Sequence, residues 1–162
     1  MSKALVVFYS WSNGNTKRIA DKIAKSLGAD IMQIDTVKPY EGSYDDVVYG
    51  ISKEETSTHF KPELKPFDKN VADYDKVIVG TPTWWYTMAP AVLSFLDGAD
   101  LSGKKVALFS THGGWPGHTI KDMTKECKGA DVYSSMTIQF DSTGGSSLVT
   151  KESAINSWID KL

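Results

Sequence analysis

Six consecutive apolar positions, Ala4-Leu5-Val6-Val7-Phe8-Tyr9, constrain this chain more than any other feature. A strand with one solvated face alternates apolar and polar residues, whereas an unbroken apolar run suits a central parallel strand covered on both faces. Two further runs have the same character, Val77-Ile78-Val79 and Val106 to Phe109. Between the runs the period changes. From Thr16 onward, Ile19, Ala20, Ile23, Ala24 and Leu27 share one helical face, while Lys17, Arg18, Asp21, Lys22 and Lys25 lie elsewhere. Gly28 fits the stop position just beyond that helix. Ile31 to Ile34 reads as a short second strand. Val132 to Phe140 alternates more and reads as a fifth strand at a sheet edge. Helices are expected from Ala89 or Pro90 to Leu96, around Ile120, Met123 and Cys127, and around Ala154, Ile155, Trp158, Ile159 and Leu162. The stretch from Thr36 to Asn70 is less regular. Tyr44, Val47, Val48 and Ile51 support a helical turn or more, and Pro62 and Pro66 punctuate a loop.

Strands that alternate with helices need crossover connections and therefore build a parallel sheet. Five such units predict an α/β fold, a doubly wound five-stranded sheet of order 2-1-3-4-5 in three α/β/α layers. The 162 residues are expected to form one domain, 1–162. Cys127 is the only cysteine, so no intrachain disulfide is possible and a reducing, cytoplasmic setting is expected. A net charge of -2 gives no reason to expect nucleic acid or a membrane surface as partner. The apolar N-terminal run is far shorter than the roughly 20 residues that span a bilayer.

In the predicted order, strands 1, 3 and 4 are neighbours, and ligands of such sheets sit beyond their carboxyl ends at the switch point. Three unusual loops follow those strands. The first is Ser10-Trp11-Ser12-Asn13-Gly14-Asn15-Thr16, leading into a helix. Its backbone N–H groups and the hydroxyls of Ser10, Ser12 and Thr16 suit a phosphate at a helix N-terminus. Asn15 or Thr16 as a plain helix cap is the competing reading. Neither Gly-x-Gly-x-x-Gly nor Gly-Lys-Ser/Thr is present, which disfavours the usual dinucleotide and triphosphate loops. The second loop, Thr81-Pro82-Thr83-Trp84-Trp85-Tyr86-Thr87, is aromatic where a polar turn is expected, and either tryptophan suits a wall for a flat conjugated ring. The third, Ser110 to His118, contains Gly113, Gly114 and Gly117, which allow close backbone approach to a ligand.

Phosphate at one end and a flat aromatic system at the other describe flavin mononucleotide (FMN). The sequence resembles the flavodoxin family, particularly its small bacterial members. The resemblance is carried by Tyr9-Ser10 through Gly14-Asn15-Thr16, Lys61-Pro62-Glu63-Leu64, Gly80-Thr81-Pro82-Thr83-Trp84-Trp85 and Gly113-Gly114. It implies noncovalent FMN, with Ser10, Ser12, Asn15 and Thr16 at the phosphate. It also implies Thr81, Pro82, Thr83, Trp84, Trp85 and Tyr86 around the isoalloxazine, together with Thr111, His112, Gly113 and Gly114. The flavin would carry the electrons, so no catalytic side chain is expected. An electron carrier working with a redox partner protein is the first functional expectation. A reductase using NAD(P)H and a quinone or azo compound is the second, and a non-redox binding module the third. Either a monomer or a homodimer fits.

Departures from the family pattern are specific. The phosphate loop is one residue longer than the short Ser-x-Thr-Gly-Asn-Thr form, which leaves Trp11 and Asn13 without assigned roles. Residues Thr81 to Thr87 contain no glycine, where many members carry one beside flavin N5. His59, His112 and His118 lack the spacing of a metal site, so no metal is expected. Other folds of this strand order fit less well. A receiver domain needs an acceptor aspartate where Gly80-Thr81 stands, and a small tyrosine phosphatase needs a cysteine in the first loop.

Overall fold

The computed structural model describes residues 3–11, 13–143 and 145–162. Strands β1 (Ala4–Phe8), β2 (Asp30–Gln33), β3 (Lys76–Trp84), β4 (Thr87–Met88), β5 (Lys105–His112) and β6 (Asp131–Gln139) form one sheet. Its main path is β2-β1-β3-β5-β6, with all four neighbouring pairs parallel. The two-residue β4 folds back antiparallel on the end of β3. With β4 set aside, this is the expected order 2-1-3-4-5, and β6 is an edge strand as its alternation predicted.

The helices are α1 (Asn15–Leu27), α2 (Tyr44–Asp46), α3 (Ser52–Thr58), α4 (Pro90–Gly98), α5 (Thr119–Glu126) and α6 (Glu152–Asp160). A π-helical turn, Val47–Ile51, joins α2 to α3, and a 3₁₀ turn covers Val71–Asp73. The unbroken apolar runs are explained by two separate cores. Leu5, Val7, Val77, Val79, Val106 and Leu108 pack with Val92, Phe95, Leu96 and Met123 on one side of the sheet. Val6, Phe8, Ile78, Ala107 and Phe109 pack with Ile19, Ile23, Ile155 and Ile159 on the other. Successive side chains of a strand point to opposite faces, so a strand covered twice must be apolar at every position. Gly28 ends α1 in the left-handed conformation, as expected.

Strands β3 and β5 extend further than their apolar cores suggest. Thr81 to Trp84 belong to β3, and Ser110 to His112 belong to β5. The ladder continues through Thr81↔Ser110 and Pro82↔Thr111, so neighbouring strands supply the pairing that these polar residues do not advertise. The irregular stretch is tied down by Thr36↔Leu64, with Val37 N–H donating to Glu63 O and Lys65 N–H to Asp35 O, each at 2.9 Å. Ser94 Oγ donates to Pro62 O at 2.7 Å, anchoring the Lys61–Leu64 segment on α4. Among the described residues no helix is long and apolar enough to cross a membrane.

Candidate functional site

The carboxyl ends of β1, β3 and β5 open into a cleft of about 340 Å³. At one end it is lined by Asn15 and Thr16, the first two residues of α1. Gly14 precedes them as the N-cap residue in the left-handed conformation and, being glycine, brings no capping side chain. The capping reading of Asn15 and Thr16 is therefore set aside by what these side chains do instead. Asn15 Nδ2 donates to Gly145 O at 3.0 Å. The Thr16 and Thr111 hydroxyls, both buried, form a pair at 2.8 Å. A hydroxyl pair uses one of its two protons internally and keeps the other for a third partner. The helix starts with Arg18 N–H donating to Gly14 O, so the N–H groups before it have no intrahelical partner.

Aromatic rings form the other end. Trp11, Tyr44, Trp84, Trp85 and Tyr86 all line the cleft. Trp11 stacks on Tyr44 with centroids 5.9 Å apart and meets Trp84 edge-on at 6.0 Å, which gives the extra residue of the first loop a place. Trp85 and Tyr86 are the two central residues of the β3–β4 hairpin, with φ of 49° and 68°. Such turns need positive φ at both positions, which Asn-Gly supplies without strain and aromatic residues do not. The surroundings hold them there. Trp85 Nε1 donates to Val48 O at 2.6 Å and reaches Ser52 Oγ at 3.2 Å. His118 N–H donates to Tyr86 O at 2.8 Å. A Cβ on Gly117 would lie 2.3 Å from that same oxygen, so only glycine lets the backbones approach this closely. Thr87 Oγ1 donates to Asp122 Oδ2 at 2.6 Å, and the same carboxylate oxygen meets His118 Nδ1.

The expected site residues divide accordingly. Trp11, Asn15, Thr16, Pro82, Thr83, Trp84, Trp85, Tyr86, Thr111, His112 and Gly113 line the cleft. Thr81 is fully buried and works internally, donating to Pro82 O and accepting from Ala89 N–H. Gly117 supports Tyr86 from behind rather than lining the cleft. Ser10, Asn13, Gly14 and Gly114 are near but not part of the lining, and Ser12 lies outside the described residues. Gly114 N–H donates to His112 Nδ1 at 3.0 Å, so the neutral imidazole carries its proton on Nε2. Burial lowers the His112 pKa, which favours that neutral form.

Two walls were not foreseen. One is the segment Tyr44, Val47, Val48, Tyr49 and Ser52, brought over the cleft by the π-helical turn. The other follows β6, where Phe140, Asp141, Ser142 and Gly145 close the α1 end. Asp141 there accepts from Thr143 N–H and Oγ1, Gly145 N–H and Ser147 N–H, and these donors hold its carboxyl down at about 2. The Asp-Ser-Thr-Gly-Gly-Ser-Ser composition of 141–147 is the turn signal that could have marked it. Arg18 serves this loop, donating to Ser146 O at 3.3 Å, and Lys17 pairs with Asp21 at 2.7 Å.

No lysine or arginine is among the described residues lining the cleft, so uncharged donors, with the Asp141 carboxylate already engaged by its own loop, define its polar end. Three buried hydroxyls, Ser10 Oγ, Thr83 Oγ1 and Ser110 Oγ, have no hydrogen-bond partner among the described residues, and of these Thr83 lines the cleft. Buried polar atoms in native proteins are rarely left unpaired, and a bound ligand is one of the standard explanations. Cys127 is buried at the end of α5, its thiol pushed up to about 11, and is remote from this chemistry. No group of three or more His, Cys, Asp or Glu among the described residues is arranged to hold a metal ion.

A doubly wound α/β sheet with an aromatic, hydroxyl-lined cleft at its switch point defines a class of ligand-binding protein. Within it the sequence model of the flavodoxin family matches residues 3–161, and the chain belongs to that family. An NAD(P)H dehydrogenase (quinone) of Azorhizobium caulinodans is 30% identical over 128 residues, covering 70% of this chain and 60% of that protein. The match thus spans about 60% of that relative's length. A Bacteroides eggerthii protein assigned to the flavoproteins is 28% identical, with a TM-score of 0.81 and coverage of 99% and 98%. A flavoprotein of Lactobacillus acidophilus, solved in complex with FMN, shares the fold at 22% identity and a TM-score of 0.72, covering 98% of this chain and 99% of that one.

Proposed function

We propose that the cleft holds FMN noncovalently and that the protein is an electron-transfer flavoprotein. The observation that carries this reading is the convergence on one cleft of a helix N-terminus with hydroxyl and amide donors and a cage of aromatic rings. Ser10, Asn15, Thr16 and Thr111 would hold the phosphate, together with the first N–H groups of α1. Trp11, Trp84, Trp85, Tyr86, His112 and Gly113 would surround the ring system. The orphaned hydroxyls of Ser10 and Thr83 fit this occupant, which brings the acceptors that the apoprotein lacks. FMN supplies the capacity to take up and release electrons. The protein orients it, excludes water with its aromatic walls and presents His112 Nε2–H as a fixed donor.

Titration of the apoprotein with FMN tests the reading. Stoichiometric binding with strong quenching of flavin emission is expected, because indole rings line the cleft. Absence of binding would overturn it.

The relationship to an NAD(P)H dehydrogenase (quinone) supports a second reading, a reductase. Exposed Tyr49, Tyr86 and Trp115 at the cleft rim offer apolar surface for a planar substrate. Steady-state oxidation of NADPH with a quinone, measured against free FMN, separates reductase from carrier.

A further inference from the structure

The cleft is joined through aromatic rings in contact to a phenol–carboxylate pair, the half-buried Tyr40 and the buried Glu55. Trp84 lines the cleft, and its ring centroid lies 5.0 Å from that of Tyr40. Trp11, also in the lining, reaches Trp84 at 6.0 Å. Tyr9 touches both Trp84, at 5.9 Å, and Tyr40, at 6.5 Å. The series ends at Tyr40 Oη, which donates to Glu55 Oε1 at 2.9 Å. Glu55 keeps 9% of its surface exposed and lines a second, smaller cleft of about 100 Å³ beside β4 and the start of α4. Among the described residues it is Tyr40, and not Tyr9, whose hydroxyl is hydrogen-bonded to Glu55.

Nothing in FMN binding requires this arrangement. Tyr40 does not line the FMN cleft, and neither does Glu55. A buried carboxylate is costly unless it serves as an acceptor, and an apolar pair of the same shape would stabilise the fold at least as well. What the pair does provide is a base at the hydroxyl of an oxidisable ring. Loss of an electron makes a phenol strongly acidic, so a carboxylate already hydrogen-bonded to it makes that oxidation far easier.

We propose that Trp84, Tyr40 and Glu55 form a proton-coupled relay that carries an oxidising equivalent away from the cleft. The inference rests on the reading of the cleft as an FMN site. The co-reactant is a strong one-electron oxidant generated there, of which light-excited oxidised flavin is the experimentally accessible case. Trp84 gives up one electron to that oxidant. Tyr40 replaces it with one electron of its own, and its O–H bond breaks as the proton moves to Glu55 Oε1. The oxidant is reduced by one electron, Tyr40 is left as a neutral phenoxyl radical, and Glu55 is protonated. The second cleft gives that proton a route to water. Burial raises the proton affinity of Glu55, which suits it to the role while it is ionised.

The test is illumination of the FMN-loaded protein at neutral pH with freeze-trapped electron paramagnetic resonance, alongside Tyr40→Phe, Glu55→Gln and Tyr9→Phe. Flavin emission is followed in each sample to establish loading. The expected result is a tyrosyl signal in the parent protein and in Tyr9→Phe. In Tyr40→Phe it is lost or replaced by a tryptophanyl signal, and in Glu55→Gln it falls severalfold. A signal unchanged in Tyr40→Phe, or no tyrosyl signal in a fully loaded parent, would overturn the relay and leave the FMN reading standing. Failure to load FMN would instead overturn that reading. The relay is then tested in the same variants with a soluble ruthenium photo-oxidant, under which Tyr40→Phe must again lose the signal.

Discussion

The hydroxyls of Thr16 and Thr111 lie 2.8 Å apart across a sequence separation of 95, joining the first turn of α1 to the end of β5. One of the two protons is consumed between them, and the other is left to donate into the cleft that both residues line. The pair therefore fixes the spacing of two loops and supplies a donor between them.

Replacing Thr16 by Ala removes half of that device. A hydrogen bond to a charged group contributes about 1.5–3 kcal/mol, which corresponds to an FMN dissociation constant raised about 10- to 100-fold. Riboflavin, which lacks the phosphate, should lose much less. Thr16→Ser keeps the hydroxyl and should restore most of the affinity. Fluorescence titration of both flavins measures the difference, and equal losses for the two would place Thr16 away from the phosphate.

Trp85 couples the hairpin to the π-helical turn through its bond to Val48 O, 37 positions away in sequence. In Trp85→Phe that carbonyl still accepts from Ser52 Oγ at 2.9 Å, so no buried acceptor is orphaned. The cost should stay near that of one neutral hydrogen bond, about 0.5–1.5 kcal/mol. Urea unfolding should show a lower midpoint with an unchanged slope. A loss several times larger would mean that the whole segment from Tyr44 to Thr58 depends on this contact.

Gly117→Ala tests the strained turn from behind. The new Cβ would lie 2.3 Å from Tyr86 O and 2.5 Å from Tyr86 Cα, and the residue has φ of 57°. Backbone must move, so about 1–3 kcal/mol of overpacking is expected in addition to the cost of the left-handed residue. Gly103→Ala is the control, since φ there is 74° and nothing lies within 4 Å of the new atom. Gly117→Ala should lower the melting temperature more than Gly103→Ala does, and it alone should weaken FMN binding. Identical behaviour of the two would show that Tyr86 does not depend on this contact.

The sheet and its order were legible because β1, β3 and β5 are buried on both faces and advertise it in every residue. Helix α1 was legible from its period and from Gly28. The polar ends of β3 and β5 were not, because Thr83, Ser110 and Thr111 are strand residues only by virtue of neighbours that complete the ladder. The same holds for the site. Loops after neighbouring strands could be inferred to converge, and Thr16, Trp84 and Gly113 do line one cleft. Val48 and Asp141 were missed, since they reach the cleft through a π-helical turn and an edge-strand loop whose positions depend on contacts remote in sequence.

Asp141 gives a pH-dependent prediction. Four donors in its own loop stabilise the carboxylate, so its pKa falls from 3.8 in an unstructured chain to about 2 in the folded one. A depressed carboxyl pKa means that the unfolded chain binds the proton more readily than the folded one. The stabilisation is therefore complete above 3.8 and is lost as the pH falls toward 2. Asp141→Asn removes the charge, so its unfolding free energy should be lower than the parent's at neutral pH and should converge on it in acid. The loop also presents Gly145 O to Asn15 Nδ2, so FMN affinity should fall in the same variant. Acid titrations of stability that run parallel for the two proteins would show that the carboxylate does not hold this loop.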